Sequence, residues 1–294
     1  MLVKAHLASI QKHLYISPLE QCNLRCAMCY TPKTTLSLSE DEILQFIRSY
    51  QQSINLETVT FCGGEIFLLP YMPHLINTLT EEGLFVQLIT NGSIDKLDKL
   101  NNPNAINCIV SIDGCREYHD KNRGKGMFDT SIAFLKHAQK IGCHTEIFSI
   151  STRENIAEID AFEGAILKKL GNTVAITYHP RKPMTYLSAH PTANRVGETK
   201  GFGFLSDNEI SQLMNKKKTF PPKTLGCFQV ALMSDKNVYG CCEGITPLGT
   251  ISDDPKKLIH LLTKRINGWE KQNKNSRCLG CVEPGFMCGF TRKI

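Results

Sequence analysis

The chain of 294 residues has a single tryptophan and no apolar run approaching the length that crosses a bilayer, about 20 residues. Its start, MLVKAHLASIQKHLYISPLE, lacks the apolar core and small-residue cleavage site of a secretory signal. A cytoplasmic protein with no membrane partner is expected. Strong charge is missing as well: the formal net charge is +6, and the basic runs HPRKP at 179–183 and NKKKTFPPK at 215–223 read as solvated surface. No basic stripe interleaved with aromatics is present, so nucleic acid is not the expected partner. Hydrophobic residues at 41% and charged residues at 21% exclude a disordered chain. No internal repeat is found, and the length allows one large α/β domain with a smaller appendage.

Cysteine is what the chain has in excess: there are 13. The number is odd and no secretory signal is present, which argues against a disulfide framework. Cys22, Cys26 and Cys29 fall within eight residues, and Cys227, Cys241, Cys242, Cys278, Cys281 and Cys288 gather near the other end. Cys62, Cys108, Cys115 and Cys143 lie singly, and of these Cys62, Cys108 and Cys143 read as small buried hydrophobes. Two groups of metal ligands at opposite ends of the chain are expected.

Between them the pattern alternates. HLYIS (13–17), ETVTFCGG (57–64), LFVQLITNG (84–92), INCIVSIDG (106–114), CHTEIFSIS (143–151) and TVAITYHP (173–180) read as strands. SLSEDEILQFIRSYQQ (37–52), residues 73–82, GMFDTSIAFLKHAQKIG (126–142) and IAEIDAFEGAILKKLG (156–171) read as helices, the first with a serine cap and an acidic first turn. Such alternation demands parallel pairing with right-handed crossovers, so the expected fold is α/β, an open or partly closed barrel with its chemistry at the C-terminal strand ends. Residues 181–205 read as a connector, CFQVALMSDKNVYGCC (227–242) as a hairpin, and 255–272 as a helix. The boundary is placed near 185, dividing 1–185 from 186–294.

The spacing C-x3-C-x2-C supplies three soft thiolates. Zinc would want a fourth ligand close by, whereas a [4Fe-4S] cluster held by three cysteines keeps one iron for an outside ligand. Spacing alone leaves both open. The loop, together with GGE (63–65), TNG (90–92), SIDG (111–114) and HDKNRG (119–124) in that order, resembles the radical S-adenosylmethionine (SAM) superfamily over residues 13–180. The resemblance implies a partial (β/α)6 barrel and a [4Fe-4S] cluster on Cys22, Cys26 and Cys29 whose open iron binds SAM. It further implies SAM contacts from Gly63, Gly64 and Glu65 to the methionine end, with Ser111 and Asp113 toward the ribose and Thr90, Asn91 and Arg123 beside them. Met28 departs from the aromatic residue usual before the third cysteine, though a methionine can also pack on adenine.

The tail resembles the auxiliary-cluster extension called SPASM, or its shorter twitch form, here as a small hairpin-plus-helix domain. It ends in C-x2-C-x6-C, and the late ligands of the full extension are missing, which implies one auxiliary [4Fe-4S] cluster. Cys227, Cys241, Cys278 and Cys281 are the expected ligands, with Cys288 or Cys242 as substitutes; the C-x2-C pair also suits a structural zinc. The implied activity is reductive cleavage of SAM and hydrogen abstraction from a substrate. Oxidative modification of a ribosomally made peptide or protein side chain is expected, by dehydrogenation or by carbon–carbon or carbon–sulfur bond formation. Dehydrogenation of a small sugar or cofactor precursor is the alternative, followed by a peptide epimerase with Cys115 or Cys288 as hydrogen donor, and by a non-enzymatic iron–sulfur protein. An electron donor such as flavodoxin or ferredoxin is implied. No peptide-recognition domain is expected before the cysteine loop, which weakens the peptide reading or assigns recognition to a separate partner. Tyr118, with His119, Tyr178, His179 and Arg181, stands near strand ends where acid–base groups would lie, and Asp120 and Arg123 are expected to pair.

Overall fold

A computed structural model describes residues 12–181, 200–216, 229–242, 244 and 246–271. Strands β1 (His13–Ser17), β2 (Thr58–Phe61), β3 (Phe85–Thr90), β4 (Ile106–Ser111), β5 (His144–Ser151) and β6 (Ala175–Pro180) form the parallel run that the alternation predicts. Helices α1 (Glu40–Gln51), α2 (Met72–Glu81), α4 (Met127–Ile141) and α5 (Ile159–Leu170) fall where helical periodicity places them. Between β4 and α4 lies α3 (Arg116–Arg123), a helix to which the sequence reading assigns no element. Helix α1 starts in a capping box: Glu42 N–H donates to the Ser39 hydroxyl at 3.2 Å, and Ser39 N–H donates to the Glu42 carboxylate at 2.9 Å.

After α6 (Asp207–Asn215), the expected hairpin forms as β7 (Val230–Met233) and β8 (Asn237–Tyr239), with β9 (Pro247–Thr250) and α7 (Pro255–Lys271) following. The hairpin is not a separate layer. Strand β7 pairs in parallel with β1, Leu14 opposite Val230 and Ser17 opposite Met233, so one sheet runs β6-β5-β4-β3-β2-β1-β7-β8-β9. The boundary expected near 185 therefore cuts across a sheet that both parts share.

Register puts Leu14 and Ile16, Val59 and Phe61, Leu88, and Val110 on one face; all are fully buried against helix residues such as Ile43, Ile47, Leu75, Leu79 and Leu135. The other face is mixed, with Ile89, Ile109, Phe148 and Ile150 beside polar side chains. His13, Thr60, Gln87, Asn107, Glu146 and Thr177 alternate with the core residues along their strands, buried or half-buried. On that face His13 Nε2 lies 2.7 Å from the Thr60 hydroxyl, which donates to Gln87 Oε1 at 2.7 Å.

Candidate active site

The cysteine loop leaves β1 and is clasped by the ends of β2, β3 and β4. From β2, Gly64 N–H donates to Leu19 O at 3.0 Å and Glu65 N–H to Gln21 O at 2.9 Å. The backbone there comes so close that a Cβ on Gly64 would sit 1.8 Å from the Gln21 oxygen, and one on Gly63, at φ +137°, 2.5 Å from Leu19 O. The paired glycines thus make room for the loop's own backbone. Glu65 is fully buried; its Oε1 accepts from the Thr90 hydroxyl at 2.8 Å and Phe67 N–H at 3.2 Å, and Oε2 from Asn91 N–H at 2.9 Å. Burial pushes its carboxyl up, against the pull of these donors and of Arg123. Glu65 therefore ties β2 to the turn after β3.

That turn reaches the loop in its own right. Asn91 Nδ2 lies 3.8 Å from Cys22 Sγ and 3.2 Å from Asn23 Oδ1, and Asn23 Nδ2 donates to the Ser93 hydroxyl at 2.8 Å. The third clasp comes from α3. Asn122 accepts from Ala27 N–H through its backbone oxygen at 2.9 Å and from Met28 N–H through its side chain at 3.1 Å, while its Nδ2 donates to Asp113 at 2.7 Å. Arg123 forks onto Asp113, Nε to Oδ2 at 2.6 Å and an NH2 group to Oδ1 at 3.1 Å. Burial alone would raise Asp113, but Arg123 holds it below the usual carboxylate range. Burial likewise opposes the charge of Arg123, which Asp113 and then the Cys26 and Cys29 thiols carry above its ordinary value. The Cys26 thiol is pushed up by burial, with Arg123 pulling the other way and Cys29 and Cys22 adding to the rise.

Asp113, expected toward a ribose, is fully buried, and its carboxylate accepts from Arg123, Asn122 and Ile150 N–H, which braces the site. Asp120 does not pair with Arg123; its carboxylate accepts from Gly126 N–H at 2.8 Å and Phe128 N–H at 2.7 Å, at the start of α4. Ser111 stands half-buried at the end of β4. Cys115 packs against the core, within electrostatic reach of Tyr178 and Glu158, and so lies on the helix side of the sheet. The Tyr118 hydroxyl is 2.5 Å from that of Thr152, and its ring meets Phe202 edge-on. His119 is buried, Nδ1 accepting from Asp113 N–H at 3.2 Å. Cys62 is half-buried, and Cys108 and Cys143 are buried as expected. Sequence reasoning passed over Asn155, which donates to the backbone oxygens of Asp113 and Ile150 and locks the loop after β5. Nothing in its local sequence signals this.

In the tail, Cys241 is buried and Cys242 half-buried, in a bend past the end of β8 and not on a strand. Arg265 of α7 lies within electrostatic reach of Cys241. Cys227, Cys278, Cys281 and Cys288 lie outside the described residues. Among the described residues no three His, Cys, Asp or Glu side chains converge into a ready metal cage. The cysteine loop nonetheless has the donor chemistry for an iron–sulfur cluster: three thiols on one short loop, electrostatically coupled to one another, with a buried guanidinium beside two of them.

Comparison with known proteins agrees with this geometry. Fe-coproporphyrin III synthase of Methanosarcina barkeri is 30% identical over 149 residues, 48% of this chain and 37% of the relative. The mycofactocin maturase MftC of Mycolicibacterium smegmatis is 27% identical over 185 residues, 59% of this chain and 47% of the relative. The chain thus spans less than half the length of these curated relatives. Among solved structures, Streptococcus suis SuiB bound to the precursor peptide SuiA superposes with a TM-score of 0.65 at 13% identity, over 99% of this chain and 78% of SuiB, which shows a shared fold. The profile of the Radical SAM superfamily matches residues 16–163. The chain belongs to the radical SAM superfamily.

Proposed function

We propose that this chain cleaves SAM reductively and uses the resulting radical to oxidise a peptide or protein side chain. The observation that carries the reading is the convergence of strand ends β2, β3 and β4 on the cysteine loop, above a sheet face of mixed polarity. Cys22, Cys26 and Cys29 hold the [4Fe-4S] cluster. The chemistry such a cluster supplies when bound is the single electron, received from a flavodoxin or ferredoxin, that splits SAM into methionine and a 5′-deoxyadenosyl radical. The residues of the chain do the positioning. Asn91, Asn122 and Arg123 fix the loop, Gly63 and Gly64 let it approach the sheet, and Glu65 and Thr90 brace the turn beside it. Ser111, half-buried at the end of β4, would take the ribose of SAM.

Hydrogen abstraction leaves a substrate radical. Loss of one electron and one proton from it completes the oxidation; Cys227, Cys241, Cys278 and Cys281, with Cys288 or Cys242 as replacements, would hold one auxiliary [4Fe-4S] cluster in a SPASM or twitch-type tail, and such a cluster would supply a one-electron acceptor. The peptide reading draws support from a relative named as a mycofactocin maturase, and from the fold shared with a precursor-peptide complex. A small-molecule reading is favoured by Fe-coproporphyrin III synthase, whose identity over its matched region is slightly higher. The core packing of Cys115 weighs against its serving as an epimerase donor.

The test is coexpression with the short peptide encoded nearest its gene, followed by anaerobic assay with SAM. Methionine and 5′-deoxyadenosine should appear, and the peptide should lose two hydrogen masses per event. SAM left intact by fully loaded protein would refute the reading, and SAM cleavage with an unchanged peptide would shift it to the small-molecule class.

A further inference from the structure

Among the described residues, the sheet face opposite the helices carries one carboxylate that no lysine or arginine pairs. Glu146, half-buried in β5, has Oε1 engaged by the Thr177 hydroxyl of β6, while Oε2 accepts no bond from any described residue. No lysine or arginine pairs with it among the described residues. His13, on the same face, is kept neutral by burial, which pushes it down to about 4. Arg181 lies six residues beyond Ala175, the register partner of Glu146, or about 20 Å along the strand, and donates to Phe202 O. That distance exceeds the screening length in physiological salt, about 8 Å.

A second feature lies one step nearer the cysteine loop. Phe148 and His179 stack face to face, ring centroids 3.8 Å apart and planes 9° from parallel. Phe148 is two residues past Glu146, so this flat plate stands about 7 Å closer to the C-terminal strand ends. A long side chain entering from those ends would lie along the plate first and bring its tip to the carboxylate. Lysine and arginine have that form, an apolar stem with a charged head.

We propose that Glu146 is a specificity-determining residue that receives the ammonium or guanidinium group of a substrate lysine or arginine, with its stem on the Phe148–His179 plate. The inference rests on the reading that substrate enters from the strand ends beside the cysteine loop. Lysine or arginine so seated keeps its backbone and first carbons at the strand ends, where the radical is delivered.

The experiment uses full-length protein, reconstituted anaerobically with SAM, and three probes: the acetylated, amidated tripeptides Gly-Lys-Gly, Gly-Arg-Gly and Gly-norleucine-Gly, titrated by calorimetry. At least one cationic probe should bind about tenfold or more tighter than the norleucine probe, as a charge-assisted hydrogen bond warrants. Glu146→Gln, which keeps an acceptor for Thr177, should erase the difference. Thr177→Val, which frees the carboxylate to swing, should reduce it, and Asp98→Asn at the exposed surface should leave it intact. A binding lysine probe without a binding arginine probe would assign the site to ammonium, and the reverse to guanidinium. No binding by wild type, equal binding of all three probes, or a preference that survives in Glu146→Gln with a native melting curve would overturn the proposal. Release of methionine and 5′-deoxyadenosine from the same preparation is scored separately, so failure of radical chemistry is told apart from failure of charge recognition.

Discussion

Gly64 leaves no space for one methyl group, because the Gln21 oxygen that would oppose it belongs to backbone and cannot rotate away. Gly64→Ala should therefore push the cysteine loop off the end of β2, and iron retained after anaerobic reconstitution should fall well below the wild-type value while the far-ultraviolet spectrum stays native. His119 makes a prediction about acid. Burial pushes its imidazole down to about 4 from an ordinary 6.5. As pH falls below 6.5 the unfolded chain takes up this proton before the folded one does. Stability is lost across the interval down to about 4, by at most about 3 kcal/mol for this group. Asp113 adds a loss in the same direction at lower pH, since its carboxyl is held below the usual range and must be protonated against Arg123. Urea unfolding at pH 7 and pH 5 should show the drop, and His119→Gln should flatten it.

At the level of elements, α3 serves as a brace between β4 and the cysteine loop. Its Arg123 side chain is 12% exposed and its partner Asp113 fully buried, so Arg123→Lys should cost about 3 kcal/mol or more, because a lysine cannot reproduce the fork and leaves the carboxylate undercompensated. Chemical denaturation measures this, and cluster content should fall with it. The same helix shows where sequence reading stops. REYHDKNR has only His119 and Asn122 buried, so no apolar stripe announces a helix, whereas α1, α2, α4 and α5 bury aliphatic faces at helical spacing and were legible. Strand β9, PLGT, opens on proline and contains glycine, residues that sequence rules count against a strand. Each motif of the site was legible singly. Their joints were not: Asn122 meets Met28 across 94 positions and Asn91 meets Cys22 across 69, and separations of that size carry no periodic signal.

For the whole molecule, the shared sheet bears on the domain boundary. A fragment ending at residue 185 would strip β7 from β1 and uncover Leu14 and Ile16, both fully buried in the intact chain. Such a fragment should aggregate or unfold without a cooperative transition, whereas a soluble, cooperatively melting fragment would support the boundary expected near 185. Strand β1 also lies between β2, some 45 residues downstream, and β7, more than 200 residues downstream. During synthesis, then, the strand that launches the cysteine loop waits for more than 200 further residues before its second neighbour leaves the ribosome, a long-range closure of the kind that slows folding. A product stalled before β7 would present its thiols on an unfinished sheet.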